Sequence, residues 1–116
     1  MGKTFEDLEV WQRSKVLAVE VFRACKVCKD WGFRDQITRS ALSVPSNIAE
    51  GAERNSAKEF ILFLGYAKGS LGELRTQIMI GEELGYFEKA QAHVWIPETR
   101  ELSKMLNGLK KSLRSS

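Results

Sequence analysis

The stretch that decides the fold runs from Gln36 to Leu84 and reads QITRSALSVPSNIAEGAERNSAKEFILFLGYAKGSLGELRTQIMIGEEL. It carries two amphipathic helical patterns joined at Asn55 and Ser56. Ser56 followed by Glu59 has the spacing of a capping box, in which each side chain satisfies a free amide of a helix's first turn. From there Phe60, Leu64, Ala67, Leu71, Leu74 and Ile78 recur at alternating steps of four and three, the seam that a helical bundle buries. Leu84 followed by Gly85 marks its end.

At about 100° per residue, that seam occupies one side of the helix. Gly65, Gly69, Gly72 and Thr76 fall on nearly the opposite side, flanked by Ile61, Leu62, Met79 and Ile80. A lone bundle should carry charge on its outward face, and each glycine inside a helix costs roughly 1 kcal/mol against alanine. Something must press close there. These eight residues are the candidate subunit interface of a closed homo-oligomer, because an apolar patch opposite the core marks association. The competing reading is tight packing against a neighbouring helix of the same chain.

The first half of the stretch places Phe33, Ile37, Ala41, Val44 and Ile48 on one helical face. A polar stripe of Gln36, Arg39, Ser40, Ser43, Asn47, Glu50 and Arg54 lies roughly 100° round from it. Its mixture of amide, hydroxyl and charge suits a hydrogen-bonded network between helices or the lining of a channel; a solvated face is the plainer alternative. Pro45 sits mid-helix, where it frees the carbonyl of Ala41 and predicts a kink. Gly51 is expected to loosen the last turn.

Working outward, Thr4 with Asp7 looks like a helix start, and Val10, Trp11, Leu17, Ala18, Val21, Phe22, Cys25 and Cys28 share one broad face. That predicts a helix to about Lys29, with Trp31 and Gly32 as the turn into the next. At the other end, Tyr86, Phe87, His93, Val94, Trp95 and Pro97 lead into Leu102, Met105, Leu106, Leu109 and Leu113. A structureless loop from Gly85 to Pro97 would be uncommonly long, so helix is expected on both sides of Pro97, with a kink or break at the proline. The expected fold is all-α: an up-and-down four-helix bundle in one domain over residues 1 to 116, with helices near 4–29, 32–54, 56–84 and 88–113.

The chain has 18 basic and 15 acidic residues, a net charge of +3. The excess is uneven, for residues 85 to 116 alone carry six basic and three acidic residues. Arg100, Lys104, Lys111 and Arg114 converge on the side of the last helix opposite its leucines, making a candidate phosphate-contacting stripe. A solvated basic face that suits the negative end of a helix is the alternative. No aromatic residue interleaves with these cations, so base stacking is not indicated.

Cys25 and Cys28 spell CKVC, but a structural zinc site needs four ligands, and His93 is the chain's single histidine. Redox pairs lie at helix starts rather than near their ends. The two thiols read as small core residues, and His93 beside Trp95 reads as structural. No nucleophile with its base, paired carboxylate cleft, metal cluster or phosphate-cradling glycine loop is legible. The expectation is a non-enzyme with no cofactor and no metal. Residues 1 to 4 lack the apolar run of a signal peptide, and the longest apolar stretch, Phe60 to Leu64, is far too short to cross a bilayer. A cytoplasmic location without a membrane partner is expected.

The run DQITRSALSVPSNIAEGAERNSAKEFILFLGYAKGSLGELRTQI, with FEDLEVWQRS near the start and a KMLNGLKKSL ending, resembles the bacterial 23S rRNA intervening-sequence protein family of four-helix bundle proteins. It is also similar to the accessory protein of diversity-generating retroelements, a basic pentameric bundle that works with a reverse transcriptase and nucleic acid. The resemblance implies an all-helical bundle, a homopentamer, an origin in genes that interrupt ribosomal RNA operons, and no catalytic activity. Thr38 and Ser40 around Arg39 depart from the family pattern, which often has two adjacent arginines, so no strong basic site carries over there. Two functions stand side by side: a nucleic-acid-associated accessory protein that binds RNA or DNA weakly through basic surfaces, and an oligomeric interaction scaffold with no nucleic-acid role.

Overall fold

The computed structural model describes residues 4–115. Met1 to Lys3, on which part of the reading of the amino terminus rests, lie outside them. A short 3-10 turn at Phe5–Asp7 precedes four helices: α1 (Glu9–Ala24), α2 (Trp31–Ala52), α3 (Ala57–Glu83) and α4 (Lys89–Arg114). There is no strand among the described residues. The bundle measures 45 × 22 × 21 Å.

The short connections force neighbouring helices to run antiparallel, and cross-links between them agree. Arg13 bonds Glu98 while Glu20 bonds Trp95, so ascending α1 descends α4. Ser43 of α2 meets Ser70 of α3, and further along Gly51 sits against Phe60 and Phe63. The up-and-down order follows.

The seams read from the sequence form the core. Ile37, Ala41, Val44, Ile48, Leu64, Ala67, Leu71, Leu74 and Ile78 are at most 1% exposed, and Leu102, Leu106 and Trp95 join them from α4. Each such Val, Leu or Ile side chain contributes about 1.5–3 kcal/mol by leaving water. Phe22 is the exception, at 42% exposed. It stands at the edge of the apolar face of α1, lining an open groove with Leu42 and Pro45 of α2.

Several boundaries are corrected. The first helix does not run from 4 to 29: Leu8 is extended and separates the opening 3-10 turn from α1, which tightens into a second 3-10 turn at Cys25–Val27. Trp31 and Gly32 are the first turn of α2 rather than a loop, because Asp30 caps the helix one residue ahead of them and accepts the Phe33 amide at 3.1 Å. Thr4 and Asp7 do form a reciprocal capping box. At Ser56, the hydroxyl accepts the Glu59 amide at 3.1 Å but donates back to the Glu59 carboxylate at 3.2 Å, half of the expected box. Pro45 and Pro97 both lie inside unbroken helices, so the break considered at Pro97 does not occur.

The end of α3 is a Schellman motif. Gly85 takes φ +78°, and the amides of Gly85 and Tyr86 reach back to the carbonyls of Glu82 and Gly81 at 3.0 and 2.8 Å. Two other glycines serve close packing. A Cβ on Gly51 would lie 2.6 Å from the Cβ of Phe63, and one on Gly81 would lie 2.5 Å from the Phe87 ring. The sequence reading saw Gly51 only as a loosened turn; here its missing side chain lets α3 approach α2.

Candidate functional site

The outer face of α3 is open. A Cβ built on Gly69 or Gly72 meets nothing within 4 Å, and one on Gly65 meets only the Lys110 ammonium, at 3.9 Å. The reading of this glycine track as a close contact inside one chain is therefore corrected: no helix of the same chain covers it. Leu62 and Ile80 are 51% and 47% exposed beside it, Thr76 is exposed, and Ile61 and Met79 are half-buried. The Thr76 hydroxyl donates to the Gly72 carbonyl at 2.9 Å, which leaves its methyl group for the surface.

The polar stripe of α2 divides into three parts. Ser43 and Asn47 are half-buried: the Ser43 hydroxyl lies 2.7 Å from that of Ser70, and the Asn47 amide donates to the Ser43 carbonyl at 2.8 Å and to its hydroxyl at 2.9 Å. This is the inter-helix network expected, reduced to three residues of α2 and α3. Glu50 and Arg54 form a surface ion pair at 2.7 Å, with the guanidinium 4.7 Å from the Phe63 ring centre. Gln36 and Arg39 stand in solvent, Arg39 at 3.8 Å from Asp35 and 79% exposed. Within one subunit the stripe is not a single site.

Arg100, Lys104, Lys111 and Arg114 are all exposed and none joins an ion pair among the described residues. They span 15 helical residues, roughly 20 Å of α4. The sequence reading missed further cations beside them. Lys68, Arg75 and Lys110 line a groove of about 430 Å³ between α3 and α4 whose floor includes Gly65, Gly69 and Gly72. They come from two helices, and only the fold brings them together. His93, expected to be structural, is exposed instead, because α4 turns Trp95 and Ala92 inward and leaves His93 outside.

A second groove, of about 290 Å³, lies between α1 and α4, lined among others by Val16, Glu20, Val94 and Trp95. Val16 and Val94 are 53% and 65% exposed at its mouth. Its walls are tied by the Arg13 and Glu98 pair and by the Trp95 indole donating to Glu20 at 3.0 Å. No periodicity of one helix marks these partners, since they are separated by 85 and 75 positions. Among the described residues no three His, Cys, Asp or Glu side chains gather as a metal site, and no helix is long and apolar enough to cross a membrane.

The architecture and its seams agree with one family over nearly the whole chain: the family model of the 23S rRNA-intervening sequence protein matches residues 6–108. The chain belongs to the 23S rRNA-intervening sequence protein family. In this intervening-sequence protein the match takes in α1, α2, α3 and most of α4, including Arg100 and Lys104 but not Lys111 and Arg114. A solved structure shares the fold. It is a protein of unknown function from the S23 ribosomal protein family of Bacteroides thetaiotaomicron VPI-5482, similar at a TM-score of 0.81 with 24% identity, over 88% of this chain and 98% of that one. No curated protein matches the sequence.

Proposed function

We propose that this intervening-sequence protein is a non-enzymatic, cytoplasmic homo-oligomer that associates weakly with RNA or DNA through its basic surfaces. The observation that carries the reading is the row of four exposed, unpaired cations on α4, extended towards α3 by Lys68, Arg75 and Lys110. Phosphate contacts of this kind position a nucleic acid without reading its sequence. Four cations per chain give marginal affinity alone, but an assembly that presents several copies raises the effective concentration of each later contact. Family membership is compatible with a role beside ribosomal RNA genes. The Arg39, Asn47 and Glu50 stripe is then structural.

A titration of the intact protein against structured RNA and duplex DNA at low and physiological salt tests the reading. Affinity should fall steeply with salt as counterions are released, and charge reversal at Lys104 and Lys111 should weaken all sequences alike. Absence of binding at low salt, or equal binding by the reversed variant, replaces it with a protein-interaction scaffold. That second reading is favoured by the apolar mouth of the α1 and α4 groove, where Val16 and Val94 face solvent.

A further inference from the structure

The groove between α3 and α4 gathers charge of one sign. Lys68 and Arg75 reach it from α3 and Lys110 from α4, and no carboxylate lines it. None of the three cations joins an ion pair among the described residues. The α1 and α4 groove differs, for there Glu20 and Glu98 offset Arg13. A cleft lined by a single sign of charge focuses its field and draws the opposite ion.

Arg75 is held in a set direction. Its Nε donates to the Thr99 hydroxyl at 2.8 Å, and that hydroxyl donates in turn to the Ile96 carbonyl at 2.7 Å. Thr99 is fully buried, so one edge of the guanidinium is anchored on a fixed partner. The two Nη groups have no protein partner among the described residues and offer the parallel N–H pair that grips two oxygens of a phosphate. At the other end of the groove the Lys110 ammonium stands over Gly65, roughly 15 Å from Arg75 along α3. Lys68 and Ser103 lie between these ends. Gly69 and Gly72 add no side chain to the floor and have open space above them, which lets a ligand approach the helix closely.

Arg75 and Lys110 are half-buried between two helices whose axes lie about 8–10 Å apart. A duplex holds its phosphates on a stiff convex surface and meets the exposed cations of α4, whereas a flexible single strand can bring phosphates into the groove. No aromatic side chain lines it, so the bases gain no stacking platform and the backbone is what the site can recognise. Arg100, Lys104 and Lys111 lie about 60–100° round α4 from the line of Ser103 and Lys110, forming the outer lip.

We propose that the α3 and α4 groove seats the sugar-phosphate backbone of a single-stranded nucleic acid, with Arg75 gripping one phosphate and Lys68 and Lys110 neutralising its neighbours. The proposal rests on the nucleic-acid reading above and names the strand form that the site takes. It shares only a glycine edge with the candidate subunit interface, whose Leu62 and Ile80 stand more than about 100° round α3 from Lys68 and Arg75.

Fluorescence anisotropy at low salt, with labelled oligouridylate, oligothymidylate and a blunt duplex of equal length added to the intact protein, tests it. Both single strands should bind about tenfold or more tightly than the duplex, which forgoes the recessed contacts. Arg75→Lys keeps the charge but loses the planar fork, so it should weaken single strands by about tenfold and leave the duplex unchanged. Lys68→Ala with Lys110→Ala should lower the slope of log affinity against log salt by roughly 1.4, the counterions of two phosphate contacts on a single strand. Circular dichroism checks that both variants keep their helices. A duplex bound as tightly as the single strands, an Arg75→Lys chain that binds single strands as the natural one does, or a salt slope unchanged by the lysine pair overturns the groove site and leaves the broader basic-surface reading standing. Absence of binding to all three nucleic acids overturns both.

Discussion

The phenol of Tyr86 donates a hydrogen bond to one carboxylate oxygen of Asp30 at 2.7 Å, while the other oxygen accepts the Phe33 amide at 3.1 Å. One carboxylate thus caps α2 and ties its start to the turn between α3 and α4. The Tyr86 bond first, and the Phe33 bond second, hold the Asp30 carboxyl below its ordinary range, and the same contact raises the Tyr86 phenol. The contribution of Asp30 is present above the ordinary carboxylate value and is lost as pH falls through its lowered folded value. That of Tyr86 is present below the ordinary phenol value and is lost as pH rises through its raised one. Tyr86→Phe should therefore lower the melting temperature through the neutral range, with the gap closing at both extremes. Melting both proteins from about pH 2 to about pH 11 checks this, and a gap that persists undiminished through the acid limb would remove the carboxylate from the account.

On the opposite side of the bundle, Arg13 donates through Nε and Nη2 to both oxygens of Glu98 at 3.0 and 2.6 Å. Their side chains are 34% and 26% exposed, so solvent screens the pair only in part. The carboxylate keeps the Arg13 guanidinium well above its ordinary value, and the arginine stays charged at every workable pH. Glu98→Ala should cost about 1 kcal/mol, because it removes two charge-assisted hydrogen bonds and leaves the Arg13 guanidinium with Glu9 alone, at 3.3 Å. Arg13→Met with Glu98→Ala should cost less than the sum of the single changes. A double-mutant cycle by urea unfolding measures the coupling, and additivity would mean that the two helices do not depend on the pair.

The apolar seams of α2, α3 and α4 were legible because each lies within one helix and repeats every three or four residues. The open face of α3 was legible as a list of residues, yet sequence could not say whether another helix of the chain covered it. That required knowing that α2 and α4 flank the core side of α3. The start of α2 was misplaced because Trp31 and Gly32 look like turn residues, whereas Asp30, whose carboxylate accepts the Phe33 amide, decides where the helix begins. Links such as Arg13 to Glu98, Arg75 to Thr99 and Trp95 to Glu20 leave no local trace. The α3 and α4 groove was missed for the same reason, since Lys68 and Lys110 are neighbours only after folding.

The CKVC pair gives a chemical prediction. Cys25 is fully buried and Cys28 nearly so, both as free thiols. Burial first, then the neighbouring Cys28, push the Cys25 thiol up to about 11, against a smaller opposing effect of Arg34. Its neutral form is favoured by the fold, so this contribution is present below the ordinary thiol value and is lost as pH rises towards the folded one. The thiolate is the reactive species. Cys25 in the native protein should therefore resist a thiol-specific disulfide reagent near pH 8, whereas the chain in denaturant should release two equivalents. Rapid reaction of Cys25 in the folded protein, mapped by mass spectrometry, would place that thiol outside the core.

Glycines of one helix should respond in opposite directions. At Gly81, an added Cβ would fall 2.5 Å from the Phe87 ring and 2.9 Å from that of Phe33, so Gly81→Ala must displace two aromatic rings and should destabilise the chain by about 1–3 kcal/mol. At Gly69 nothing lies within 4 Å, and Gly69→Ala should stabilise an isolated subunit by roughly 1 kcal/mol through helix propensity. Gly69→Leu adds bulk on the candidate subunit interface, so it should shift the assembly to smaller species while leaving the helical content intact. Thermal melts and light scattering on the three variants separate local stability from association. An assembly unchanged by Gly69→Leu would mean that copies meet elsewhere, whereas a Gly69→Ala chain that loses both stability and assembly would mean that even a methyl group holds the meeting surfaces apart.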